Sequence, residues 1–557
     1  MESEFVIIGG NASGMKAAAR ARRCNPNLQI TVFEKGDYVS FAGCGLPYYI
    51  SGLIEDSDEL IVRSPDWFKE FLDLDVKVNH RVEGINRKAR KLVVRDLSTD
   101  CILHVTYRKL LIATGANPIK LPIEGASSRG VFTIKSMEDG SNLRDFISER
   151  KPRKAVIVGA GLIGLEMAES LLISGLDVSI VEKLEQILPI LDDDMAFLVE
   201  KYLKNKSIKF FLGESVRAFD EDAKGSISYV ETDKRKIAAG LAIISIGVKP
   251  EVTLAREAGL EIGETGAIRV NSKMYTCDPN ILAAGDCVET VDFVTGRPIW
   301  APLGSTANKQ GRVAGENAAG GEVEFGGVAP VQIARLFDLS VAKAGLSEIE
   351  ARKLDFDIEV TFTNSWDHPQ YYPGARIITM KTMVNRPDHR LLGCQIVGER
   401  GVDKRIDVMA TALYKKMTCD DLSKLDLAYA PPYSPALDSI ITAGNVALNK
   451  LKGAYVSING KDLLQRMMRG EDLQLVDVLQ PKLYKECHIP KSTNIPLNEL
   501  WKRSNELDRE KEVITICKYG ITSYHAARFL KERMSFKDVK SLEGGIIVWQ
   551  GPTEKSI

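Results

Sequence analysis

Two short apolar runs, each followed by a glycine-rich turn, mark the first half of the chain. The first is Phe5-Val-Ile-Ile8, followed by Gly9-Gly-Asn-Ala-Ser-Gly14. The second is Ala155-Val-Ile-Val158, followed by Gly159-Ala-Gly-Leu-Ile-Gly164. After each turn comes a helical pattern and then a second apolar run that ends in an acid. This order is typical of a β-α-β unit, so the pattern predicts two of them.

The remaining pattern divides the rest of the chain into distinct parts. The runs Leu110-Leu-Ile-Ala-Thr-Gly115 and Ile281-Leu-Ala-Ala-Gly-Asp286 each have the form of a short strand that returns to the first unit. Residues 327–447 mix strand and helix patterns and end in a proline-rich loop. A charged connection after residue 450 leads into a final segment of roughly 95 residues, which is long enough for a small domain of its own.

Composition narrows the function classes. A chain of 557 residues is too long for one hydrophobic core, so we expect about three or four domains. The formal net charge of −1 predicts no nucleic-acid or membrane-surface partner. No run of about 18 apolar residues occurs and the N-terminus enters a strand at once, so we expect neither a membrane span nor a secretory signal. The 9 scattered cysteines favour a reducing cytoplasm, in which chemistry belongs to individual thiols.

The two glycine turns predict two dinucleotide sites. Glycines let the backbone approach a pyrophosphate at the helix N-terminus, and the acid that follows accepts the ribose hydroxyls. The second turn has the full G-x-G-x-x-G spacing, whereas the first has Asn11 at the middle position. The second site comprises Gly159, Gly161, Gly164 and Glu182. The first comprises Gly9, Asn11, Ala12, Ser13, Gly14, Glu34 and Lys35, with Thr114, Gly115, Gly285 and Asp286 from the returning strands.

One cysteine differs from the others in its neighbours. The stretch Ser40-Phe-Ala-Gly-Cys44-Gly-Leu-Pro-Tyr-Tyr49 places Cys44 at the start of a predicted helix, between two glycines. A helix N-terminus stabilises a thiolate, and glycine neighbours leave the sulfur accessible. A structural cysteine is usually buried, so this pattern predicts a reactive one.

Residues 1–447 resemble the flavoprotein disulfide reductases that carry two dinucleotide domains. Dithiol members carry a C-x-x-x-x-C pair, but here Tyr49 takes the place of the second cysteine. The motif Ser-Phe-x-x-Cys-Gly-Leu-Pro-Tyr instead resembles the one-cysteine branch of coenzyme A-disulfide reductase, NADH oxidase, NADH peroxidase and NAD(P)H-dependent persulfide reductase. The resemblance implies FAD at the first site, NAD(P)H at the second, Asp286 beside the flavin, and a homodimer. Glu182 favours NADH by repelling a 2′-phosphate, although the adjacent Lys183 partly offsets this and leaves NADPH open.

Further residues bear on the choice within this branch. Its oxidases and peroxidases have a His near residue 10, where this chain has Asn11. Tyr429 and one of Tyr371 and Tyr372 resemble tyrosines that the partner subunit of a coenzyme A-disulfide reductase supplies, where a phenol donates a proton to the leaving thiolate. By the same resemblance, the coenzyme A site comprises Lys16, Arg20, Arg22, Arg23 and Ser40, because arginine pairs well with phosphate. A solvated basic face is the alternative for each arginine.

The final segment resembles a rhodanese domain. It opens with Leu475-Val-Asp-Val478, and Val513-Ile-Thr-Ile-Cys517-Lys-Tyr-Gly-Ile-Thr-Ser523 resembles the active loop, in which backbone N–H groups face the sulfur of Cys517. Leu479 replaces the Arg usual after Asp-Val, and Thr522 replaces a loop Arg that helps bind thiosulfate. We therefore expect a persulfide carrier at Cys517 rather than a typical thiosulfate sulfurtransferase.

Together these features predict an α/β fold with two Rossmann-like dinucleotide-binding domains, an α+β dimerisation domain and a C-terminal α/β rhodanese domain. The predicted boundaries are 1–115 with 250–326 for the FAD domain, 116–249 for the NAD(P)H domain, 327–447 for dimerisation, 448–462 for a linker and 463–557 for the rhodanese domain.

The predicted function is an FAD-dependent NAD(P)H reductase of persulfides, polysulfides and coenzyme A disulfides, with no metal. Coenzyme A is either a tightly bound cofactor or a substrate. An NADH oxidase or peroxidase with an accessory rhodanese domain is the main alternative. A protein in which that domain only recruits a partner is a third hypothesis.

Overall fold

The computed structural model describes residues 2–555, which form two compact units. The first comprises residues 2–185 and 208–328, and the second comprises residues 186–207 and 329–555. The second unit thus includes a segment from inside the stretch predicted for the NAD(P)H domain, and the domain boundaries stay predictions. Within residues 2–555, no helix has the length and apolar character needed to cross a membrane.

Ten strands and five α-helices lie between residue 2 and residue 182. The first elements are β1 (Glu2–Ile8), α1 (Ala12–Cys24), β2 (Ile30–Phe33), α2 (Leu46–Ile50), α3 (Pro65–Leu72), β3 (Asp75–Lys77), β4 (His80–Asn86), β5 (Lys91–Asp96) and β6 (Ile102–Ile112). They are followed by β7 (Ala116–Pro118), β8 (Val131–Phe132), α4 (Met137–Arg150), β9 (Lys154–Val158), α5 (Leu162–Ile173) and β10 (Asp177–Glu182).

The chain then completes both nucleotide-type domains. The next elements are α6 (Asp193–Asn205), β11 (Lys209–Leu212), β12 (Val216–Glu221), β13 (Ile227–Thr232), β14 (Lys236–Ala238), β15 (Leu241–Ile244), β16 (Val248–Pro250) and α7 (Thr253–Glu257). Three more strands and a helix return to the first domain: β17 (Ile281–Ala283), β18 (Thr290–Val291), β19 (Pro298–Ile299) and α8 (Gly304–Ala318).

Two sheets of the first unit carry the predicted glycine turns. One has seven strands, in the order β3-β2-β1-β6-β5-β4 with β17 paired to β6, and the other has five, in the order β11-β10-β9-β15-β8. Strands β1 and β9 each pair in parallel with neighbours on both sides. Each is therefore a central strand, and its carboxyl end opens at the edge where such sheets bind ligands. The expected pair of Rossmann-like domains is confirmed.

An antiparallel sheet organises the middle of the second unit. Its order is β20-β21-β24-β23-β22, which leaves β22 at one edge. The elements here are β20 (Val331–Leu336), β21 (Leu339–Gly345), α9 (Glu348–Lys353), β22 (Ile358–Trp366), β23 (Ile377–Asn385), β24 (Leu391–Gly398), α10 (Val402–Tyr414), α11 (Cys419–Leu422) and α12 (Ser439–Leu451).

A buried ion cluster explains why residues 186–207 belong to the second unit. Lys381 of β23 lies 2.7 Å from Asp194, 2.9 Å from Glu348 and 3.2 Å from Asp192. Burial raises the pKa of Asp194 to about 6, although the Lys381 ammonium opposes the rise. A buried cation without these partners would be strongly unfavourable, so the cluster holds the segment against the sheet.

A parallel sheet forms the end of the second unit. Its order is β25-β29-β28-β26-β27, and β28 is buried along its whole length before it reaches Cys517. The elements are β25 (Ser457–Ile458), α13 (Gly460–Met468), β26 (Gln474–Asp477), α14 (Pro481–Glu486), β27 (Thr493–Asn494), α15 (Leu500–Arg503), β28 (Val513–Ile516), α16 (Ile521–Met534) and β29 (Val539–Leu542).

Candidate functional sites

Both predicted nucleotide turns have the same backbone geometry. Gly9 and Gly159 have the same φ of +106°, and a Cβ added to them would lie 2.2 Å and 2.3 Å from the carbonyl oxygen that follows a neighbouring strand. A Cβ on Gly14 or Gly164 would lie 1.9 Å or 2.2 Å from the carbonyl of that first glycine. These positions require glycine, because the left-handed turn and the close helix start leave no room for a side chain.

The acid at the end of each second strand accepts a hydrogen bond from the backbone of its glycine turn. The Gly10 amide donates to Glu34 Oε2 at 2.7 Å, and the Ala160 amide donates to Glu182 Oε2 at 2.8 Å. Each carboxylate therefore lies beside its turn, where it can accept ribose hydroxyls. A Cβ added to Gly161 would meet no described atom within 4 Å, so the backbone there is open to a ligand. Both turns fit a dinucleotide.

The strands that return to the first domain complete the first turn. Ser13 Oγ donates to the Ala284 carbonyl at 3.0 Å, and the Gly285 amide donates to Gln310 at 2.9 Å. Gln310 lies in no recognisable motif, so sequence reasoning missed it. The other residues predicted for this site lie on the turn or just after the neighbouring strands: Asn11, Ala12, Lys35, Thr114 and Gly115.

Asp286 lies in a partly desolvated environment near the Lys135 amine. Burial raises the pKa of Asp286, and the Lys135 ammonium opposes that rise. Burial also lowers the pKa of Lys135, with Lys35 adding to the effect. Trp300 Nε1 donates to the Asp286 carbonyl at 2.7 Å. Neither Lys135 nor Trp300 lies in a recognisable sequence pattern, so both contacts emerge only from the fold.

Cys44 occupies a single 3₁₀ turn, Gly43–Gly45, directly before α2. The residue is exposed, yet protein atoms desolvate its sulfur enough to raise the pKa of the thiol, and the carboxylates of Glu166 and Asp286 raise it further. The expected stabilisation of a thiolate by the helix start is therefore outweighed within the protein itself. Helix α2 is only 5 residues long, and two carboxylates act against it.

Glu166 is a functional candidate that sequence reasoning missed. It lies on α5, next to the second glycine turn, and its own pKa is raised to about 7 by burial and by the neighbouring Glu169. A group that titrates near neutral pH and acts on a reactive thiol is a candidate for controlling it. Its position inside an ordinary helical pattern gave no sequence signal.

The residues predicted for coenzyme A differ in how free they are. Arg20 forms an ion pair with Glu316 at 2.5 Å, and Arg22 donates to the Leu72 carbonyl at 2.8 Å. Arg23 is exposed on α1. Arg20 and Arg22 would therefore have to exchange protein partners for phosphates. Lys16, half-buried on α1, and Ser40, whose amide donates to the first glycine turn at 2.8 Å, lie nearer that turn in the chain.

In the second unit, two of the three predicted tyrosines meet. The hydroxyls of Tyr371 and Tyr429 lie 3.4 Å apart, and the two residues are 74% and 51% exposed. This hydrogen bond raises the pKa of Tyr371. Tyr372 instead packs edge-on against His368, with ring centroids 5.4 Å apart. The structure thus pairs Tyr429 with Tyr371 and not with Tyr372.

Cys517 ends β28 and lies in a loop that opens α16. The residue is 2% exposed, and its sulfur accepts the Gly520 amide at 3.1 Å and the Ser523 amide at 3.2 Å. The Ser523 hydroxyl lies 3.3 Å from the same sulfur and accepts a hydrogen bond from Ser541 at 2.9 Å. The two amides form a nest of donors that stabilises an anionic sulfur. Ser541, on β29, was not identified from the sequence.

The two positions that lack the usual arginine have local structural roles. Leu479 is half-buried against the core of the last domain, and its amide donates to Asp477 at 2.9 Å. Thr522 is half-buried in the first turn of α16. Neither position supplies a cation for thiosulfate.

One group of side chains could supply donors of three kinds to a metal. His389, Cys419 and Asp420 bring a nitrogen, a sulfur and an oxygen within 4.8 Å of one another. His389 Nδ1 already hydrogen-bonds Asp420 at 2.9 Å, and burial raises the pKa of the Cys419 thiol to about 11. The histidine thus already has a hydrogen-bond partner, and burial favours the neutral form of the Cys419 thiol.

The geometry agrees with three sequence families. Residues 3–311 match the family described as pyridine nucleotide-disulphide oxidoreductase, residues 331–440 match its dimerisation domain, and residues 460–552 match the rhodanese-like domain. The chain belongs to the pyridine nucleotide-disulphide oxidoreductases, with a rhodanese domain at its end.

Individual relatives narrow the similarity. A solved NAD-dependent persulfide reductase from A. fulgidus is 40% identical with a TM-score of 0.92, over 99% of this chain and 100% of that one. The NAD(P)H coenzyme A polysulfide/persulfide reductase of Pyrococcus horikoshii is 37% identical over 80% of this chain and 98% of its own. A Methanocaldococcus jannaschii protein named NADH oxidase is also 37% identical, over 80% of this chain and 99% of its own.

Proposed function

We propose that this enzyme uses NAD(P)H and FAD to reduce persulfides, polysulfides and coenzyme A disulfides at Cys44, and that Cys517 carries sulfane sulfur. The observation that carries the proposal is the buried Cys517 sulfur, which accepts two backbone N–H groups. This loop stabilises a persulfide anion, whose sulfur–sulfur bond is the kind that a one-cysteine reductase cleaves.

The chemistry at Cys44 is a thiol–disulfide exchange. The Cys44 thiolate attacks the sulfur–sulfur bond of R–S–SH, forms a mixed disulfide with the R–S group and releases hydrosulfide. Two electrons from NAD(P)H then cleave the mixed disulfide and release R–SH, so that one NAD(P)H and one proton convert R–S–SH into R–SH and H₂S. When bound, the flavin supplies that electron pair. Tyr49 stands where a dithiol reductase has its resolving cysteine, so the partner of Cys44 is the substrate.

The site residues divide between the two cofactors. We assign FAD to the turn of Gly9 and Glu34, and NAD(P)H to the turn of Gly159 and Glu182, because this is the order of the two sites in the flavoprotein disulfide reductases that the chain resembles. The acid beside each turn supports a dinucleotide at both. Glu182 favours NADH, since its charge repels a 2′-phosphate. A cytoplasmic location suits this chemistry, because a reducing compartment keeps the thiols of Cys44 and Cys517 available.

A homodimer would give the tyrosines their role. Tyr371, Tyr429, Tyr433 and Leu437 expose aromatic and apolar surface in the region that matches a dimerisation domain. A symmetric partner would cover this surface and receive the Tyr371–Tyr429 pair, which donates a proton to the leaving thiolate. Coenzyme A, as cofactor or substrate, would then lie along α1 near Arg23 and Lys16.

The experiment that tests the sulfur carrier is Cys517→Ser. We expect the variant to keep coenzyme A-disulfide reduction and to lose most polysulfide turnover, because the first reaction needs Cys44 alone. Cys487→Ser, a half-buried thiol of the same domain, is the matched control. An equal loss of both activities in Cys517→Ser would refute the carrier role.

The competing function is an NADH oxidase or peroxidase, which one relative's name supports. The chain has Asn11 where such enzymes of this branch have a histidine. Mass spectrometry of Cys44 separates the two, because a thiol-sensitive coenzyme A adduct indicates the reductase and a sulfenic acid indicates the oxidase or peroxidase. Oxygen or peroxide consumption faster than persulfide reduction would decide for the alternative.

A further inference from the structure

One face of β22 contacts the reactive loop region of the rhodanese domain. Phe362, Asn364 and Trp366 alternate along this edge strand and therefore point to the same side. A Cβ added to Gly544 would lie 3.3 Å from Phe362, and the ring of Trp366 meets that of Tyr519 edge-on at 6.3 Å. The dimerisation sheet and the Cys517 loop thus share an interface inside the second unit.

Asn364 makes the polar contacts of this interface. It is 3% exposed, and its Nδ2 donates to the Tyr519 carbonyl at 3.0 Å and to the Gly544 carbonyl at 2.7 Å. Thr379 donates to its Oδ1 at 2.7 Å. The amide orientation is determined, because two carbonyls can only accept and must face the nitrogen. The bonds to Gly544 and Thr379 are buried and the bond to Tyr519 is part-buried, so each is costly to remove.

The contact with Tyr519 acts on the N–H group of Gly520, which donates to the Cys517 sulfur. The Tyr519 carbonyl and the Gly520 N–H belong to one planar peptide group, and this N–H donates to Cys517 Sγ at 3.1 Å. Holding the carbonyl therefore fixes the direction of the N–H. A hydrogen bond to the carbonyl also polarises the peptide and strengthens the N–H as a donor.

The contact with Gly544 holds the turn at residues 544–546, which packs against the Cys517 loop. A Cβ added to Gly545 would lie 2.5 Å from the Cys517 carbonyl and 2.7 Å from the Gly520 nitrogen, so this turn packs directly against the loop. The Ile546 amide donates to the Cys517 carbonyl at 3.0 Å. The Asn364 side chain therefore hydrogen-bonds both the Cys517 loop and the turn that packs against it.

A buried ion triad fixes the same interface. Lys450 of α12 lies 2.8 Å from Glu359 of β22 and 2.8 Å from Glu543, which directly follows β29. All three side chains are almost fully buried. Such a triad tolerates little displacement, because any separation leaves a buried charge unpaired.

We propose that Asn364 is a positioning residue for Cys517: it orients the Tyr519–Gly520 peptide whose N–H stabilises the sulfur anion. Sulfur-carrier chemistry in the last domain thereby depends on a residue of the dimerisation sheet. The inference rests on the proposed role of Cys517, but the geometry of its loop can be tested apart from that role.

The test compares Asn364→Ala with Thr363→Val in the full-length holoenzyme. Thr363 is the preceding residue of β22, is buried, and its hydroxyl has no hydrogen-bond partner within residues 2–555, so its isosteric replacement is the matched control. The readout is the rate of Cys517 alkylation by iodoacetamide as a function of pH, followed by mass spectrometry of the Cys517 peptide. NADH-linked coenzyme A-disulfide reduction reports an intact reductase in every variant.

We expect Asn364→Ala to slow alkylation near neutral pH by about three- to tenfold and to move its pH profile upward, since a hydrogen bond to an anion is lost or misdirected. Thr363→Val should match the wild type. Asn364→Ser, which keeps one donor, should fall between them and serves where the alanine variant does not fold. An unshifted profile in both Asn364 variants would overturn the proposal. A shifted profile without any Cys517 persulfide would support positioning and refute the sulfur carrier.

Discussion

The two cysteines that we propose as reactive lie in opposite environments. Cys517 is buried, and its own loop supplies two backbone N–H groups to the sulfur. Cys44 is exposed, and desolvation together with Glu166 and Asp286 raises the pKa of its thiol. The Cys517 loop therefore gives its sulfur hydrogen-bond donors, whereas the surroundings of Cys44 disfavour its thiolate. This difference suits the proposed roles, because a carrier holds a persulfide between reactions, whereas a nucleophile is needed only when substrate is present.

The largest expected effect comes from Cys44→Ser. We expect NADH-linked reduction of coenzyme A disulfide and of persulfide to fall by about a thousandfold or more, because the nucleophile is removed. Cys101→Ser, another exposed thiol, should leave both activities unchanged. Persulfide formation at Cys517, measured by mass spectrometry, should survive in Cys44→Ser. Its disappearance would mean that the two sites are not chemically separate.

A second prediction concerns the rigidity of the two loops. Gly545→Ala should destabilise the rhodanese domain by about 2 kcal/mol or more, because φ is positive and the new Cβ meets backbone atoms. Gly45→Ala beside Cys44 should cost less, because φ is −84° and the one close clash of the new Cβ is with the end of the Leu60 side chain. Thermal unfolding of both variants checks this order. Equal losses of stability would contradict a difference in rigidity between the Cys517 and Cys44 loops.

A smaller effect is expected from Ser523→Ala. The variant loses the hydroxyl that lies 3.3 Å from Cys517 Sγ but keeps both amide donors. We expect Cys517 persulfide formation to slow by about threefold, the scale of one neutral hydrogen bond. Ser492→Ala removes a buried hydroxyl elsewhere in the same domain and is the control. A loss as large as that of Cys517→Ser would show that the amides alone do not stabilise the sulfur.

The smallest effect is expected from Glu166→Gln, which tests the opposing electrostatics at Cys44. The carboxylate raises the pKa of the Cys44 thiol, so its removal should speed Cys44 alkylation above neutral pH by about two- to threefold. Glu138→Gln, an exposed acid on α4, should change nothing. Slower alkylation in Glu166→Gln would contradict the inference that Glu166 raises the pKa of the Cys44 thiol.

The stability of the protein should depend on pH through the same Glu166 carboxyl. Burial raises the pKa of Glu166 to about 7, above its unfolded value, so its favourable contribution is present at low pH and is lost as pH rises through about 7. Glu166→Gln should therefore raise the melting temperature relative to wild type at about pH 8 and give no gain at about pH 5. Equal effects at both pH values would contradict the raised pKa.

The sequence predicted the fold class and family because both are encoded locally. A strand, a glycine turn and a helix occupy about thirty consecutive residues, and the left-handed turn at Gly9 or Gly159 admits no other side chain. The motif around Cys44 and the loop of Cys517 are equally local. Confirmation of the fold does not extend to each site residue, and the roles assigned to the tyrosines and arginines stay predictions.

What the sequence by itself determined is where each reactive cysteine lies and which loop holds it. Tertiary structure alone decided which distant side chains act on these loops and on the basic helix. Glu166 acts on Cys44 from another domain segment, Arg20 pairs with Glu316, and Asn364 reaches the Cys517 loop from a different sheet. These partners are 122, 296 and 155 residues apart in the chain, as the positions 44 and 166, 20 and 316, and 364 and 519 show. No local pattern encodes such pairs, because each forms only when folded elements bring distant side chains together.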